Sequence, residues 1–317
     1  MLIYLLKRLL YAVPIALAVS AVCFSLVYLA PGDPLSAIVP SDASQEMIET
    51  LKKEYGLDKP IPVQYAIWVG RAVSGDLGTS IATGRPVASE IGKAIANTFI
   101  IAVFASLIGF VLGCVFGTLA GYFNGSWIDK LVSAISVAGV SVPHYWLGMV
   151  LVIVFAVILG VLPAMGAGPG GSSEWAWDYE HFKYMILPAV TLSVIPTGII
   201  TRTVRALVAD ILSKEFVTAL VAKGLSQAAV FGHVVKNAAP TALAVMGVQL
   251  GYLLGGSILV ETVFSWPGTG FLLNTAIFQR DIPLLQGTIL VLSLFFVGLN
   301  LLVDIVQTGL DPRIKRA

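Results

Sequence analysis

The sequence predicts an all-α integral membrane protein with six transmembrane helices. Hydrophobic residues make up 57% of the 317-residue chain and charged residues only 12%, whereas an ordinary soluble domain is about 25% charged. The apolar residues form runs long enough to cross a bilayer of about 30 Å at about 1.5 Å per helical residue. The lysines and arginines also fall mainly on one side of the resulting topology, as membrane proteins require.

The first predicted span, the apolar run from Leu9 to Ala30, follows the basic pair Lys7 and Arg8. Ala30 is a small residue, so a cleaved signal peptide is the alternative interpretation. The apolar region is longer than the about 7–15 residues of a signal peptide, and further spans follow it. We therefore favour a retained helix, with residues 1–30 as an N-terminal tail and first span whose N-terminus is cytoplasmic.

Residues 31–96 are predicted to form an external segment. Pro31-Gly32-Asp33-Pro34 ends the first helix, because proline cannot continue a helix and glycine favours turns. A short charged helix from Gln45 to Tyr55 and turn signals at Gly75-Asp76 and Gly84-Arg85-Pro86 follow. A segment of this length is too short for a separate domain, so we expect it to pack on its own membrane domain.

Residues 97–317 are predicted to form a core with five further spans: Asn97–Tyr122, Leu131–Leu162, Tyr184–Leu207, Thr241–Glu261 and Leu284–Thr308. The run Leu131–Leu162 is too long for one straight crossing, and Pro143 can kink it. His144, which follows this proline, is either a polar contact between helices or part of a polar pathway.

Glycines recur every four residues in the second span, at Gly109, Gly113, Gly117 and Gly121. These four positions lie near one helix face, where they would let another helix approach backbone to backbone. A lipid-facing helix with incidental glycines is the alternative, but four glycines in register favour close packing. Gly247, Gly251 and Gly255 form a second such ridge on the fifth span.

Residues 210–240 are the longest moderately polar run between two apolar segments in the C-terminal half. They are predicted to form a helix, a break at Gly224 and a second helix that Ser226 caps and that stops near Pro240. An amphipathic pair at the membrane surface and a pair that engages a soluble partner are both open on spacing alone. The first helix has one predicted apolar face, formed by Ile211, Leu212, Phe216, Val217, Leu220 and Val221.

The distribution of positive charge tests this topology. With residues 210–240 and both termini in the cytoplasm, 11 lysines and arginines are cytoplasmic. Long translocated segments largely escape the charge rule, and without residues 31–96 only 2 positive residues lie outside. The asymmetry supports a multi-pass protein with cytoplasmic N- and C-termini.

Eight stretches of the chain resemble the inner-membrane permease subunits of bacterial peptide and nickel ABC importers, nearly end to end. The resemblance implies the fold of a type I ABC importer permease and transport of a solute, with di- or oligopeptides as the family-level substrate. The most specific stretches are Gly255-Gly-Ser-Ile-Leu-Val-Glu-Thr-Val-Phe-Ser-Trp-Pro-Gly268 and Ala222-Lys-Gly-Leu-Ser226. The others are Ala30-Pro-Gly-Asp-Pro34, Tyr55-Gly-Leu-Asp-Lys-Pro60, Gly75-Asp-Leu-Gly-Thr-Ser80, Gly84-Arg-Pro-Val87, Asp304 and Leu310-Asp-Pro-Arg-Ile314.

In that family the cytoplasmic helix pair is the coupling element that seats in a groove of an ATPase subunit. The resemblance assigns this role to Glu215, Phe216, Ala222, Lys223, Gly224, Leu225, Ser226 and His233. The chain departs from the family pattern between Thr218 and Val221 and in placing Pro240 one residue early. These departures put specific ion pairs with the ATPase in doubt, but not the shape of the pair.

The resemblance also implies the partners. They are a second homologous permease, two ATPase subunits or domains, an extracytoplasmic solute-binding protein and the lipid of a bacterial inner membrane. No phosphate-binding loop occurs, because Gly92-Lys93 lacks the earlier glycine and is followed by Ala94. We therefore expect a non-catalytic subunit without a cofactor or metal, whose partner ATPases use ATP and Mg²⁺. The formal net charge of +1 does not favour nucleic acid as a partner.

A secondary transporter or channel without an ATPase is the alternative function. It would be expected to carry ionisable residues at mid-membrane, and the predicted spans hold almost none. An intramembrane hydrolase is disfavoured because Ser257 has no histidine base on this topology. Gln249, Ser257 and Glu261 are candidates for lining a substrate pathway, although packing roles are at least as consistent with their positions.

Overall fold

The computed structural model describes residues 10, 13–22, 24–25, 44–54 and 58–310. Helices are the regular elements over these residues, and isolated bridges join Thr79 to Pro86 and Gly168 to Ser172. The predicted turn at residues 31–34, the ends of the first span and the basic tail lie outside the described residues. The helices are α1 (Val13–Val22), α2 (Gln45–Glu54), α3 (Ile61–Val73), α4 (Val87–Tyr122), α5 (Trp127–Ser141), α6 (His144–Leu151) with a π-helical continuation over Val152–Ile158, α7 (Tyr179–Leu212), α8 (Glu215–Ala222), α9 (Gln227–Gly256), α10 (Ile258–Val263), α11 (Thr269–Gln279) and α12 (Ile282–Leu310).

The chain divides into two compact units. The described residues of Met1–Asn97 and Gly268–Gly298 form the first, and those of Thr98–Pro267 and Leu299–Ala317 form the second. In the first unit Val87, Ile91, Ala276 and Leu284 form a buried apolar cluster.

A buried carboxylate in the first unit joins the segment before α4 to the start of α12. Asp281 accepts hydrogen bonds from the Ser80 hydroxyl at 2.5 Å and from the backbone N–H groups of Ala82 and Leu284, both at 3.1 Å. Because an unpaired carboxylate would be costly to bury, these three donors are what keeps Asp281 inside.

The second unit confirms the first glycine ridge. A methyl group added at Gly113, Gly117 or Gly121 would lie 2.7 Å from an atom of α7. At Gly117 that distance is to the carbonyl oxygen of Thr201 and to Cβ of Val204. The backbones of α4 and α7 therefore approach so closely that only hydrogen fits between them.

The predicted kink at Pro143 is also confirmed. Helix α5 ends at Ser141, Val142 is extended at φ −80° and ψ 128°, and α6 begins at His144. The two helical segments form an angle of 98°. A proline disfavours helical backbone in the preceding residue, which explains why the break falls at Val142.

The prediction that a helix stops near Pro240 is wrong, because α9 runs from Gln227 to Gly256 through this proline. Val234, Ala238 and Ala242 are buried in one apolar cluster with residues of α7. Their packing holds the chain helical on both sides of Pro240 and outweighs the about 3 kcal/mol that an interior proline costs. Helix α7 likewise continues through Pro188 and Pro196.

Helix α4 begins ten residues before the predicted second span, at Val87 rather than Asn97. Residues 87–96 were predicted to belong to the external segment, but Val87, Ile91 and Ala94 are buried along one helical face. The extension is therefore an amphipathic continuation of the span.

Among the described residues, α4 and α7 are each long and apolar enough to cross a membrane, and the bent pair α5–α6 makes a third candidate span. Two shorter apolar stretches are α1 (Val13–Val22) and the first part of α12 (Ile282–Gly298).

Helix α7 begins with a side-chain cap. The side chain of Asp178 accepts a hydrogen bond from the backbone N–H of His181, which lowers the pKa of this carboxyl.

Replacing Gly117 by alanine should destabilise the protein by about 1–3 kcal/mol, because the added methyl group overpacks the α4–α7 contact. The apparent Tm of the purified protein in detergent measures this change. Gly92→Ala on the same helix is the matched control, since an added methyl group there meets open space. It should be neutral or stabilise by up to about 1 kcal/mol. Equal Tm values for the two variants would contradict the close contact.

Candidate functional site

The segment predicted to couple to an ATPase is a short helix held between two long ones. Helix α7 ends at Leu212, Lys214 is extended at ψ 144°, and α8 begins at Glu215. The backbone N–H groups of Ser213 and Lys214 donate to the carbonyls of Asp210 and Ile211. The turn between α7 and α8 is therefore closed by hydrogen bonds rather than left open to bend.

The break after α8 has the geometry expected for a glycine cap. Gly224 has φ +81°, its N–H donates to the Val221 carbonyl at 2.9 Å, and the Leu225 N–H donates to the Leu220 carbonyl at 3.3 Å. This pair of bonds is the Schellman motif, which satisfies the last carbonyls of a helix and requires left-handed backbone at the glycine. Ser226 then caps α9 by accepting from the Ala229 N–H at 3.3 Å. The predicted helix break at Gly224 and the predicted N-cap at Ser226 are confirmed.

Apolar side chains anchor the segment to the membrane helices. Val217 of α8 and Val230 and Val234 of α9 are buried in one cluster with residues of α7 such as Val204 and Val208. Leu220 and Leu225, which flank the Schellman turn, pack against the same cluster. The segment is consequently attached at both of its helices.

The prediction of one apolar face over the first helix is wrong. Ile211 and Leu212 belong to α7, because the chain turns at Ser213. Val217 is buried, whereas Phe216 is 40% and Val221 59% exposed. The residues that the structure describes therefore leave the side chains of Phe216 and Val221 on α8 exposed.

Seven of the eight residues assigned to coupling are exposed, and the eighth, Leu225, is half-buried. The exposed residues are Glu215, Phe216, Ala222, Lys223, Gly224, Ser226 and His233. The structure therefore places these residues on one short stretch of chain around the Gly224 turn, with α9 carrying His233 further along.

A second polar site lies around Glu261, which is fully buried. Its Oε1 accepts hydrogen bonds from the Ser257 hydroxyl at 2.7 Å and from the Thr98 hydroxyl at 2.8 Å. The structure therefore brings together two of the three predicted pathway residues. Thr98 was missed by sequence reasoning, because no local pattern links it to a residue 163 positions away.

Gln249, the third candidate, is 8% exposed, and its Oε1 has no hydrogen-bond partner among the described residues. Among the described residues, no hydrogen bond joins Gln249 to Ser257 or Glu261. The side chain of His144 lies beside a small cavity that Leu192, Ile195, Tyr252 and Leu253 also line.

Sequence reasoning also missed an ion pair between Asp129 and Arg205. Arg205 Nε and Nη2 donate to the two carboxylate oxygens at 2.6 and 2.7 Å. Ser126 caps α5 by accepting from the Asp129 N–H, and this spacing could have predicted the helix start but not the arginine. Among the described residues no group of three or more His, Cys, Asp or Glu side chains could hold a metal ion.

Glu261→Ala should destabilise the protein by about 1–3 kcal/mol for each buried hydroxyl that loses its acceptor. Glu261→Gln keeps an oxygen where Thr98 and Ser257 donate, so its apparent Tm in detergent should fall less. The apparent Tm values of Thr98→Val and Ser257→Ala, which each remove one of the hydrogen bonds described above, should lie between those of Glu261→Ala and the unsubstituted protein. If the glutamine and alanine variants have the same Tm, the hydrogen bonds contribute nothing.

Family comparison places this arrangement in a known class of membrane protein. Residues 109–316 match the family described as the binding-protein-dependent transport system inner membrane component. Residues 1–112 match the N-terminal region described for the membrane component of the same systems.

Two similar proteins span nearly the whole chain. The dipeptide transport system permease protein DppB of Alkalihalophilus pseudofirmus is 37% identical over 99% of this chain and 100% of its own length. The glutathione transport system permease protein GsiC of Escherichia coli K12 is 37% identical over 99% of both chains.

A solved structure shares the fold. An inward-facing form of the MetNI methionine ABC transporter matches with a TM-score of 0.56 and 18% identity, over 70% of this chain and 96% of the other. This likeness shows the fold of a type I ABC importer permease. With family matches that together run from residue 1 to residue 316, the chain belongs to the inner-membrane components of binding-protein-dependent transport systems and is a permease subunit of an ABC importer.

Proposed function

We propose that this subunit forms half of the translocation pathway of an ATP-driven importer for di- or oligopeptides, and that residues 210–240 receive the motion of a cytoplasmic ATPase. The observation that carries this proposal is the construction of α8. It is capped at Gly224, anchored through Val217, and exposes Phe216 and Val221. A short helix with one buried and one uncovered apolar face fits a groove in a second protein.

The hydrogen bonds and packing around α8 support a mechanical role. A conformational change is transmitted only if the ATPase contacts two membrane conformations with different free energies. A segment that bent freely would absorb the displacement instead. The closed turn at Ser213–Lys214 and the buried Val230 and Val234 support a movement of α8 together with the ends of α7 and α9.

We propose six spans, with residues 1–30 as the first, 31–96 as an external segment, and 97–317 as a core of five. The excess of positive residues assigned to the cytoplasm supports cytoplasmic N- and C-termini. The two long spans, the bent pair and the two shorter apolar helices account for five of these spans. The membrane-embedded part of α9 is the remaining one.

Short peptides are the proposed solute class because relatives of 37% identity are named for dipeptide and for glutathione transport. Gln249 is the stronger pathway candidate, since its buried Oε1 has no partner among the described residues. Ser257 and Glu261 bond each other, which favours a structural role.

The proposed complex contains this subunit, a second homologous permease, two ATPase subunits or domains that use ATP and Mg²⁺, and an external solute-binding protein. The family description itself names dependence on a binding protein. The passage would lie between the two permeases, and this chain would bind no cofactor.

Reconstitution of the subunit with a partner permease, ATPase and solute-binding protein from the same organism tests the function. Proteoliposomes should accumulate a labelled dipeptide only when ATP is on the side of the membrane that carries the ATPases, inside the vesicles, and the binding protein is outside. The chain alone, energised by an ion gradient, is the control for a secondary transporter. Uptake under that control condition would overturn the proposal.

Gly224→Val should abolish ATP-dependent uptake at equal expression and assembly. The β-branched side chain is strained at φ +81°, and loss of the Schellman turn would change the angle at which α8 meets its partner. Gly224→Asn is the matched control, because asparagine tolerates left-handed backbone. Unchanged uptake by the valine variant would count against the coupling role.

A further inference from the structure

The ion pair of Asp129 and Arg205 lies on the helix that leads into α8. Arg205 is seven residues before the end of α7 at Leu212. Asp129 lies in the first turn of α5, in the part of the chain that follows α4. The pair therefore joins two places that are 76 residues apart in sequence.

The contact has the geometry of a strong, directional pair. Two parallel N–H donors of one guanidinium meet both oxygens of one carboxylate, at 2.6 and 2.7 Å. The Asp129 side chain is 4% exposed and that of Arg205 35%. Bidentate pairs of this kind fix orientation as well as distance. Removing the partner of a largely buried carboxylate destabilises a protein strongly, because it leaves the buried charge uncompensated.

Further hydrogen bonds connect the turn between α4 and α5 to the same two residues. The backbone N–H of Gly125 donates to Asp129 Oδ2 at 2.8 Å, and the Ser133 hydroxyl donates to Oδ1 at 3.2 Å. Arg205 Nη2 also donates to the side-chain oxygen of Asn124 at 3.1 Å. Each of these hydrogen bonds therefore has Asp129 or Arg205 as one partner.

Backbone packing at the same level adds a second constraint. A methyl group added at Gly121, in the last turn of α4, would lie 2.7 Å from the carbonyl oxygen of Arg205. The last turn of α4 therefore rests on the backbone of α7 where the guanidinium holds the start of α5. A shift of α7 along its axis must carry the α4–α5 turn with it or break the bidentate pair.

We propose that Asp129 and Arg205 are positioning residues for transport, forming a strut that makes the α4–α5 turn move together with α7 when the ATPase displaces α8. The inference rests on the proposed coupling role of residues 210–240. It assigns to the pair a task beyond stability, because the strut sets how much of the displacement reaches the second and third spans.

The test uses the assembled complex in proteoliposomes and measures ATP hydrolysed per dipeptide transported. Asp129→Asn keeps the shape of the side chain but cannot accept from both nitrogens of Arg205. We expect the variant complex to hydrolyse ATP while the ratio of ATP to solute rises by about fivefold or more. The charge-exchanged double variant, Asp129→Arg with Arg205→Asp, should recover part of this loss.

Glu180→Gln is the matched control, since the Lys183–Glu180 pair, in which Glu180 is exposed and Lys183 half-buried, lies at the opposite end of α7. A solvent-accessible ion pair contributes little to stability. The ratio of ATP hydrolysed to dipeptide transported should therefore stay unchanged in Glu180→Gln. A merely structural role of Asp129 would lower the amount of complex, and with it hydrolysis and transport in proportion. An unchanged ratio in Asp129→Asn would therefore overturn the strut.

A second measurement does not depend on the folding of Asp129→Asn. Spin labels at the exposed positions Lys130 and Arg202, in an active background without Cys23 and Cys114, report the distance across the intact pair. That distance should be the same with and without ATP, to within the about 1–2 Å of small helix shifts. A larger change would overturn the strut. Loss of ATP-dependent uptake by the unsubstituted complex would instead refute the proposed function.

Discussion

The close approach of α4 to α7 is the constraint on which the second unit depends. In a membrane apolar burial does not drive helices together, so packing at short range and hydrogen bonding must hold them. Gly113, Gly117 and Gly121 provide that packing because their missing side chains let α4 rest on the backbone of α7. The same contact brings Thr201 and Arg205 of α7 against the second half of α4, so it also sets where the polar groups of α7 can act.

Polar groups inside this framework are joined in compact clusters. Glu261 accepts from Thr98 and Ser257, and Asp129 accepts from Arg205, Gly125 and Ser133. Because an unsatisfied buried group is expensive in a low-dielectric interior, each cluster fixes one arrangement of the helices that contribute to it. Such discrete contacts fit the proposed movement by an ATPase, since packed interfaces switch between arrangements instead of deforming continuously.

Local chemistry explains which elements sequence reasoning predicted well. The Pro143 kink, the Gly224 break and the Ser226 cap each depend on one residue whose local preference is not opposed by the packing around it. Two of the predictions that failed concern the continuity of helices. Helix α9 passes through Pro240 and α4 begins at Val87, because burial of neighbouring apolar residues outweighs the local signals of proline and of polar side chains.

The sequence by itself determined that the chain is a helical membrane protein, that its helices break before His144 and at Gly224, and which family it resembles, because composition, glycine spacing and capping residues act over a few positions. Tertiary structure alone decided that Thr98 meets Glu261 and that Asp129 meets Arg205. It also decided that, among the described residues, Phe216 and Val221 are exposed while Val217 is buried. Such contacts join residues far apart in the chain, and they depend on how helices pack against one another, which no local pattern encodes.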